Sequence, residues 1–202
     1  MAKVWGEKFN RIQFLMMNDL NTPICFLVKN EKDVTDALAK LPGDRASVRT
    51  YRVGRETHSK TPFHPNVLKR EAEAYALNCL DMDYLSVMVT EGVPIDDNAI
   101  SAISIVRALE IYTEYAEGPG TVRRLSMGEV TPKSFTWNLG KASAPDERFQ
   151  KAMVILNNLD CQDILFEWSW STKLIGWKKQ YLIFWEFMND GPNAYFDKWI
   201  PR

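Results

Sequence analysis

The sequence is short of the residues that most recognisable functions need. It has three cysteines, Cys25, Cys79 and Cys161, far apart and without metal-type spacing. Their odd number and wide separation predict buried small side chains in a reducing compartment, not a disulfide framework. It has two histidines, His58 and His64, with no paired cysteines, which excludes a zinc site of the usual kind. No apolar run approaches the roughly 18 residues that span a bilayer. No basic segment followed by an apolar stretch opens the chain. The expectation is therefore a cytoplasmic protein with no signal peptide and no membrane partner. The formal net charge is -1, with Lys and Arg scattered in short runs. That balance argues against general nucleic-acid binding, which needs a basic surface. There is no Walker loop, dinucleotide fingerprint or Ser/His/Asp nucleophile motif. Internal repeats and low-complexity segments are also missing.

What remains is an ordinary globular composition. The chain has 202 residues, 46% hydrophobic and 25% charged. That suffices for one large domain or two packed lobes with a core of their own. Seven Trp and ten Phe are many for this length, so several must be buried and some are candidates to line a pocket.

Periodicity predicts a helix over Gly6–Asp19, a buried strand over Ile24–Lys29, a helix over Glu31–Leu41 with Asn30 as its N-cap, and a strand over Ala46–Val53. Gly54–Asn66 reads as a long polar loop, of the kind that is often functional. Val67–Leu80 reads as the clearest helix. Strands are then expected at Leu85–Val89, Ala99–Val106 and Leu109–Tyr115, with two shorter ones at Thr121–Leu125 and Ser134–Asn138. An amphipathic helix over Asp146–Leu159 follows, introduced by Pro145. A hairpin closes the pattern, Asp163–Ser171 with Gln180–Met188. The order is αβαβ, one helix, then a mainly antiparallel run. It is an α+β pattern, not a doubly wound one. We expect an N-terminal lobe and loop over 1–66 and a C-terminal lobe over 67–202, forming one structural unit.

Several charged residues sit where chemistry would need them. Glu167 and Glu186 lie on two strands expected to pair, each flanked by aromatics (Phe166, Trp168, Trp185, Phe187). Carboxylates on neighbouring strands facing one way make a Mg²⁺ site, and buried without a cation they would be costly. The bland alternative is a pair of outward-facing residues on alternating strands. Arg49 on a strand and Lys8 on a helix are candidate cations for phosphate oxygens, against the simpler reading of a solvated lysine and an arginine paired with a surface carboxylate. Glu91 ends a strand before Gly92. Arg123 with Arg124 follows Gly118-Pro119-Gly120 and reads equally well as a phosphate clamp or a solvated pair. His58 and His64, beside Arg52, Arg55 and Lys60, are candidates for phosphate contact or acid–base work, against the simpler reading of a surface loop.

The order of these segments resembles the ATP-grasp nucleotide-binding domain of the phosphoenolpyruvate synthase and pyruvate phosphate dikinase family. Gly6-Glu7-Lys8 is similar to its Gly-Gly-Lys opening, and Thr22-Pro23-Ile24-Cys25-Phe26-Leu27-Val28 to its first turn and strand. Val48-Arg49-Thr50-Tyr51 resembles its Val-Arg-Ser-Ser strand. Val87–Val93, Ser101-Ala102-Ile103, Glu117-Gly118-Pro119-Gly120 and Gly128-Glu129-Val130-Thr131-Pro132 follow in the family's order. Phe166-Glu167-Trp168 and Phe184-Trp185-Glu186 resemble its last two strands.

The resemblance implies a two-lobed ATP-grasp-like domain whose larger lobe holds a mainly antiparallel sheet. It implies ATP and Mg²⁺ as cofactors, Arg49 and Lys8 as catalytic cations on the phosphates, Glu91 and Arg123 as further nucleotide contacts, and Glu167 and Glu186 as metal ligands. The family's late Gln is Glu186 here, and its Arg two places on is Met188. Its glycine-bearing phosphate loop is not recognisable in Gly54–Asn66. Only the nucleotide-binding part is matched, so we expect no complete dikinase reaction. Two readings stay open. One is a small enzyme binding ATP·Mg²⁺ between two lobes and transferring a phosphoryl group or activating a carboxylate. The other is a non-catalytic, virus-encoded descendant that docks a protein partner through aromatic surfaces.

Overall fold

The computed structural model describes residues 8–52, 61–82, 85–94, 97–118, 125, 128–138, 144–159 and 161–188. Its contacts divide the chain into two compact units, Met1–Phe14 with Thr22–Pro94, and Leu15–Asn21 with Ile95–Arg202. The division falls at Pro94/Ile95 and not at the 66/67 boundary expected from the sequence, because strands on both sides of that boundary belong to one sheet. No described helix is long and apolar enough to cross a membrane.

The first unit carries a four-stranded antiparallel sheet. Its strands are β1 (Cys25–Val28), β2 (Arg45–Arg52), β3 (Phe63–Leu68) and β4 (Leu85–Glu91), in the order β1-β4-β2-β3. Helices α2 (Glu31–Lys40) and α3 (Lys69–Leu80) cover one side. Val34, Ala37 and Leu38 of α2 and Ala72, Ala76 and Cys79 of α3 pack there with Val28, Ala46, Val48, Val87 and Val89. Small side chains on α3 let the helix lie close to the sheet. The N-cap of α2 forms as expected, with Asn30 accepting from the Asp33 N–H at 2.9 Å. Helix α1 (Lys8–Met17) places Ile12 against Cys25 and Met88, with Phe9, Leu27 and Tyr51 around them.

Strand β3 corrects the sequence reading. It lies partly within the segment expected to be loop, and α3 begins at Lys69 and not at Val67. Pro65 and the polar residues around it hide the strand from pattern reading, but β3 is the edge of its sheet, the one place where a strand proline is readily accommodated.

The second unit carries a five-stranded antiparallel sheet. Its strands are β5 (Asn98–Val106), β6 (Glu110–Glu117), β7 (Lys133–Asn138), β8 (Ile164–Ile175) and β9 (Gln180–Met188), in the order β7-β6-β5-β8-β9. Helix α4 (Glu147–Asn157) begins at Asp146, whose side chain caps the Arg148 N–H at 2.8 Å. Its Phe149 meets Tyr115, Phe135 and Trp168 at ring-centroid distances of 4.5, 5.3 and 5.8 Å. Phe166, Phe184 and Phe187 continue this aromatic core. The β8–β9 hairpin turns through Gly176, whose φ of +74° favours glycine. The strand expected at Thr121–Leu125 lies, apart from Leu125, outside the described residues.

Candidate functional site

In the second unit the register decides which side chains share a side of the sheet. Glu167 on β8 lies directly opposite Glu186 on β9 and, across the other edge, opposite Ile103 on β5. Ile103 in turn faces Glu114 on β6. Directly opposed residues project to the same side, so Glu114, Glu167 and Glu186 lie along one ladder row. Trp168, Phe166 and Ser104 lie on the other side with Phe149. Glu186 is 9% exposed and Glu167 half-buried. The outward-facing alternative for the pair therefore does not describe Glu186.

Glu114 is a carboxylate that sequence reading passed over. It is 7% exposed and accepts from the Tyr112 hydroxyl at 3.1 Å. Burial pushes its carboxyl above the usual value, and the Tyr112 hydrogen bond opposes the shift. The strand alternation in Glu110–Glu117 was the available signal, since it sends Glu114 to the side opposite Thr113 and Tyr115. Strand β5 separates it from Glu167 by about 10 Å, two strand spacings. Among the described residues no three His, Cys, Asp or Glu side chains come together as a metal cage.

The first unit holds Arg49 and Glu91. Arg49 sits on β2 between Phe63 of β3 and Met88 of β4. Its guanidinium carbon lies 5.4 Å from the centre of the Phe63 ring, and its Nε is buried with no hydrogen-bond partner among the described residues. A buried donor with no acceptor is costly and fits a group built to meet an anion. Arg49 also lies near Cys25. Burial pushes that thiol up to about 11, while Gln13 and the Arg49 charge act against the shift. Cys25 and Cys79 are buried as expected, whereas Cys161 is only half-buried.

Glu91 ends β4 and is 7% exposed. Its backbone N–H donates to the Ile24 carbonyl at 2.8 Å, and its Oε2 lies 3.5 Å from the Ile24 N–H. Gly92 then passes so close to β2 that a Cβ there would lie 2.7 Å from the Arg45 carbonyl carbon. Backbone packing fixes this strand end.

The remaining candidates divide. Lys8 opens α1. Arg123 and His58 lie outside the described residues. His64 is in β3, its ring stacked on Tyr75 of α3 at 4.7 Å, a packing role that sets it apart from the loop reading.

Solved structures share this architecture. A RimK domain ATP-grasp protein from Sphaerobacter thermophilus aligns with TM-score 0.57 at 11% identity, over 98% of this chain and 64% of its own. The N5-carboxyaminoimidazole synthetase of Staphylococcus aureus aligns with TM-score 0.54 at 12% identity, over 95% and 46%. The macrocyclase MdnC of Microcystis aeruginosa, bound with its precursor peptide MdnA, aligns with TM-score 0.53 at 12% identity, over 96% and 55%. The chain thus spans about half to two thirds of the length of these proteins. No protein-family model and no curated protein sequence matches it. The likeness establishes the α+β ATP-grasp fold, and it is to that fold at large, not to the dikinase family in particular.

Proposed function

We propose that the chain binds ATP with Mg²⁺ and uses it for phosphoryl transfer or carboxylate activation on an acceptor. The observation that carries this reading is the direct cross-strand pairing of Glu167 with the buried Glu186. Two carboxylates set side by side on neighbouring strands are the donor pair that a divalent cation takes.

The residues fit Mg²⁺, which is held by one or two carboxylates and completes its shell with phosphate oxygens and water. The paired carboxylates of Glu167 and Glu186 match that donor set. Bound there, Mg²⁺ supplies charge neutralisation on the nucleotide phosphates. Glu167 and Glu186 hold and orient the ion. Arg49 donates to phosphate oxygens, and its orphaned Nε fits that task. Lys8 and Arg123 add positive charge, and Glu91, at a strand end pinned by Gly92, contacts the adenine or ribose side. The nucleotides in neighbouring structures support the ligand class, namely ADP in the S. aureus synthetase and ATP in its Aspergillus clavatus counterpart. These residue roles are the ones implied by the resemblance of the segment order to the dikinase family's nucleotide-binding domain. The peptide bound to the macrocyclase supports a protein or peptide partner.

A second reading, a non-catalytic binding protein on the same fold, is favoured by Met188 on β9, where the dikinase resemblance has an arginine. Thermal-shift titration with ATP and Mg²⁺, on the parent and on the Glu167→Gln/Glu186→Gln double variant, separates the two. A stabilisation that requires Mg²⁺ and vanishes in the double variant supports nucleotide binding, because a ligand of the folded state raises its apparent stability. No shift at millimolar ATP overturns it.

A further inference from the structure

Strand β9 does not pair evenly with β8. Leu182, Ile183 and Phe184 face Trp170, Ser169 and Trp168 in turn. Continued without a break, that register would set Trp185 opposite Glu167 and Glu186 opposite Phe166. Glu186 would then point to the side where Phe166 meets Phe184 and Phe187, a side with no use for a carboxylate. The observed pairs are Glu167 with Glu186 and Phe166 with Phe187, with the register shifting between Glu167 and Trp168. Trp185 is the one extra residue, and it forms a β-bulge. Bulges of this kind re-aim side chains, often beside active sites.

One contact holds the extra residue in place. The Trp185 indole N–H donates to Ser169 Oγ at 2.7 Å, both residues being buried. Ser169 lies two places from Glu167 on β8, hence on the same side of the sheet. The indole therefore occupies the side that bears the carboxylate pair, next to Glu186, while its N–H is satisfied by a residue small enough to leave room for the ring. We propose that Trp185, through Ser169, is a positioning residue that keeps Glu186 opposite Glu167. This inference rests on the reading of that pair as a Mg²⁺ site.

The experiment is an ATP thermal-shift titration across Mg²⁺ concentration on the full chain, with Trp185→Phe, Ser169→Ala, Glu186→Gln and Ser104→Ala variants. Trp185→Phe keeps a smaller aromatic ring and deletes the donor, and Ser169→Ala deletes the acceptor. Each is expected to raise the Mg²⁺ concentration giving half-maximal stabilisation by about three- to tenfold, the effect of one buried hydrogen bond on a coupled equilibrium. Ser104→Ala, which breaks a comparable indole hydrogen bond on the opposite side of the sheet, is expected to lower the ligand-free melting temperature and leave that midpoint in place. If Trp185→Phe fails to fold, Ser169→Ala carries the same test. The proposal is overturned if both variants keep the parental Mg²⁺ midpoint while Glu186→Gln raises it. If Glu186→Gln also leaves the midpoint unchanged, the metal reading of the pair fails and the positioning role falls with it.

Discussion

Trp168 and Ser104 are joined inside the second sheet, the indole N–H donating to Ser104 Oγ at 2.8 Å. Ser104 in turn lies 2.8 Å from Thr113 Oγ1, and Thr113 donates to the Met153 sulfur of α4 at 3.6 Å. The chain of donors has one direction, so each hydroxyl both gives and receives. Ser104→Ala removes the middle of it and leaves the buried Trp168 donor unmet. It is expected to cost about 1–3 kcal/mol. Chemical denaturation of the ligand-free protein measures this, and an unchanged midpoint would show the network to be dispensable.

Asn21 clips the β8–β9 hairpin. Its Nδ2 donates to the carbonyls of Ile175 at 2.9 Å and Leu182 at 2.8 Å, and its Oδ1 accepts from the Lys178 N–H at 3.1 Å. Its backbone carbonyl accepts from the Phe184 N–H at 2.8 Å. Asn21→Ala is expected to cost about 2–4 kcal/mol, because several buried backbone groups lose their partner together. Gly176→Ala places a Cβ 2.9 Å from the Asn21 amide nitrogen at a φ of +74°, for a cost of about 1–3 kcal/mol. In the double variant the clash has gone, so the two costs add to less than their sum. Strict additivity in a double-mutant cycle would contradict this coupling.

The expected strand over Gln180–Met188 matches β9 residue for residue, and the core strands of both sheets lie within a few residues of their expected bounds. Uniform apolar runs such as Leu85–Val89 carry that information directly. Pairing was legible only in part. That Glu167 and Glu186 would share a hairpin followed from the turn residues between their strands, but the bulge at Trp185 depends on register, which no local pattern encodes. The edge strand β3 was invisible because its alternation mixes Phe63 and Val67 with His64, Pro65 and Asn66. Glu114 went unseen because one carboxylate inside an alternating strand has no meaning until β5 and β8 are set beside it.

Burial holds the Glu114 carboxyl above its ordinary 4.5, with the Tyr112 hydroxyl pulling the other way. As pH rises, the unfolded chain loses this proton first. A penalty on the folded state therefore grows from about pH 4.5 and is complete once pH has passed the folded-state value. Below that range both states are protonated and the penalty is absent. Glu114→Gln keeps an acceptor for Tyr112 and cannot ionise. Its melting temperature, measured without nucleotide or Mg²⁺, is expected to exceed the parent's at pH 7 and to converge on it near pH 4. A variant less stable than the parent at pH 7 would mean that the charged carboxylate is compensated after all.

Arg49 offers a case in which stability and binding should move in opposite directions. Among the described residues its Nε is buried without a partner, and its guanidinium lies over the Phe63 ring at 5.4 Å, a weak offset for its charge. A methionine of similar reach deletes the orphaned donor and keeps apolar contact with Phe63. In the ligand-free protein, Arg49→Met is therefore expected to be neutral or stabilising, because replacing an unsatisfied polar group by an apolar one removes a desolvation cost. The same change deletes a charged donor for phosphate oxygens and is expected to weaken ATP·Mg²⁺ binding by about tenfold or more. Arg49→Lys keeps the charge and loses the fork, so its binding should fall between the two. Ligand-free melting temperature and ATP titration on the same three proteins read both quantities. A loss of stability in Arg49→Met with ATP affinity intact would mark Arg49 as a structural cation and leave the phosphates to other residues.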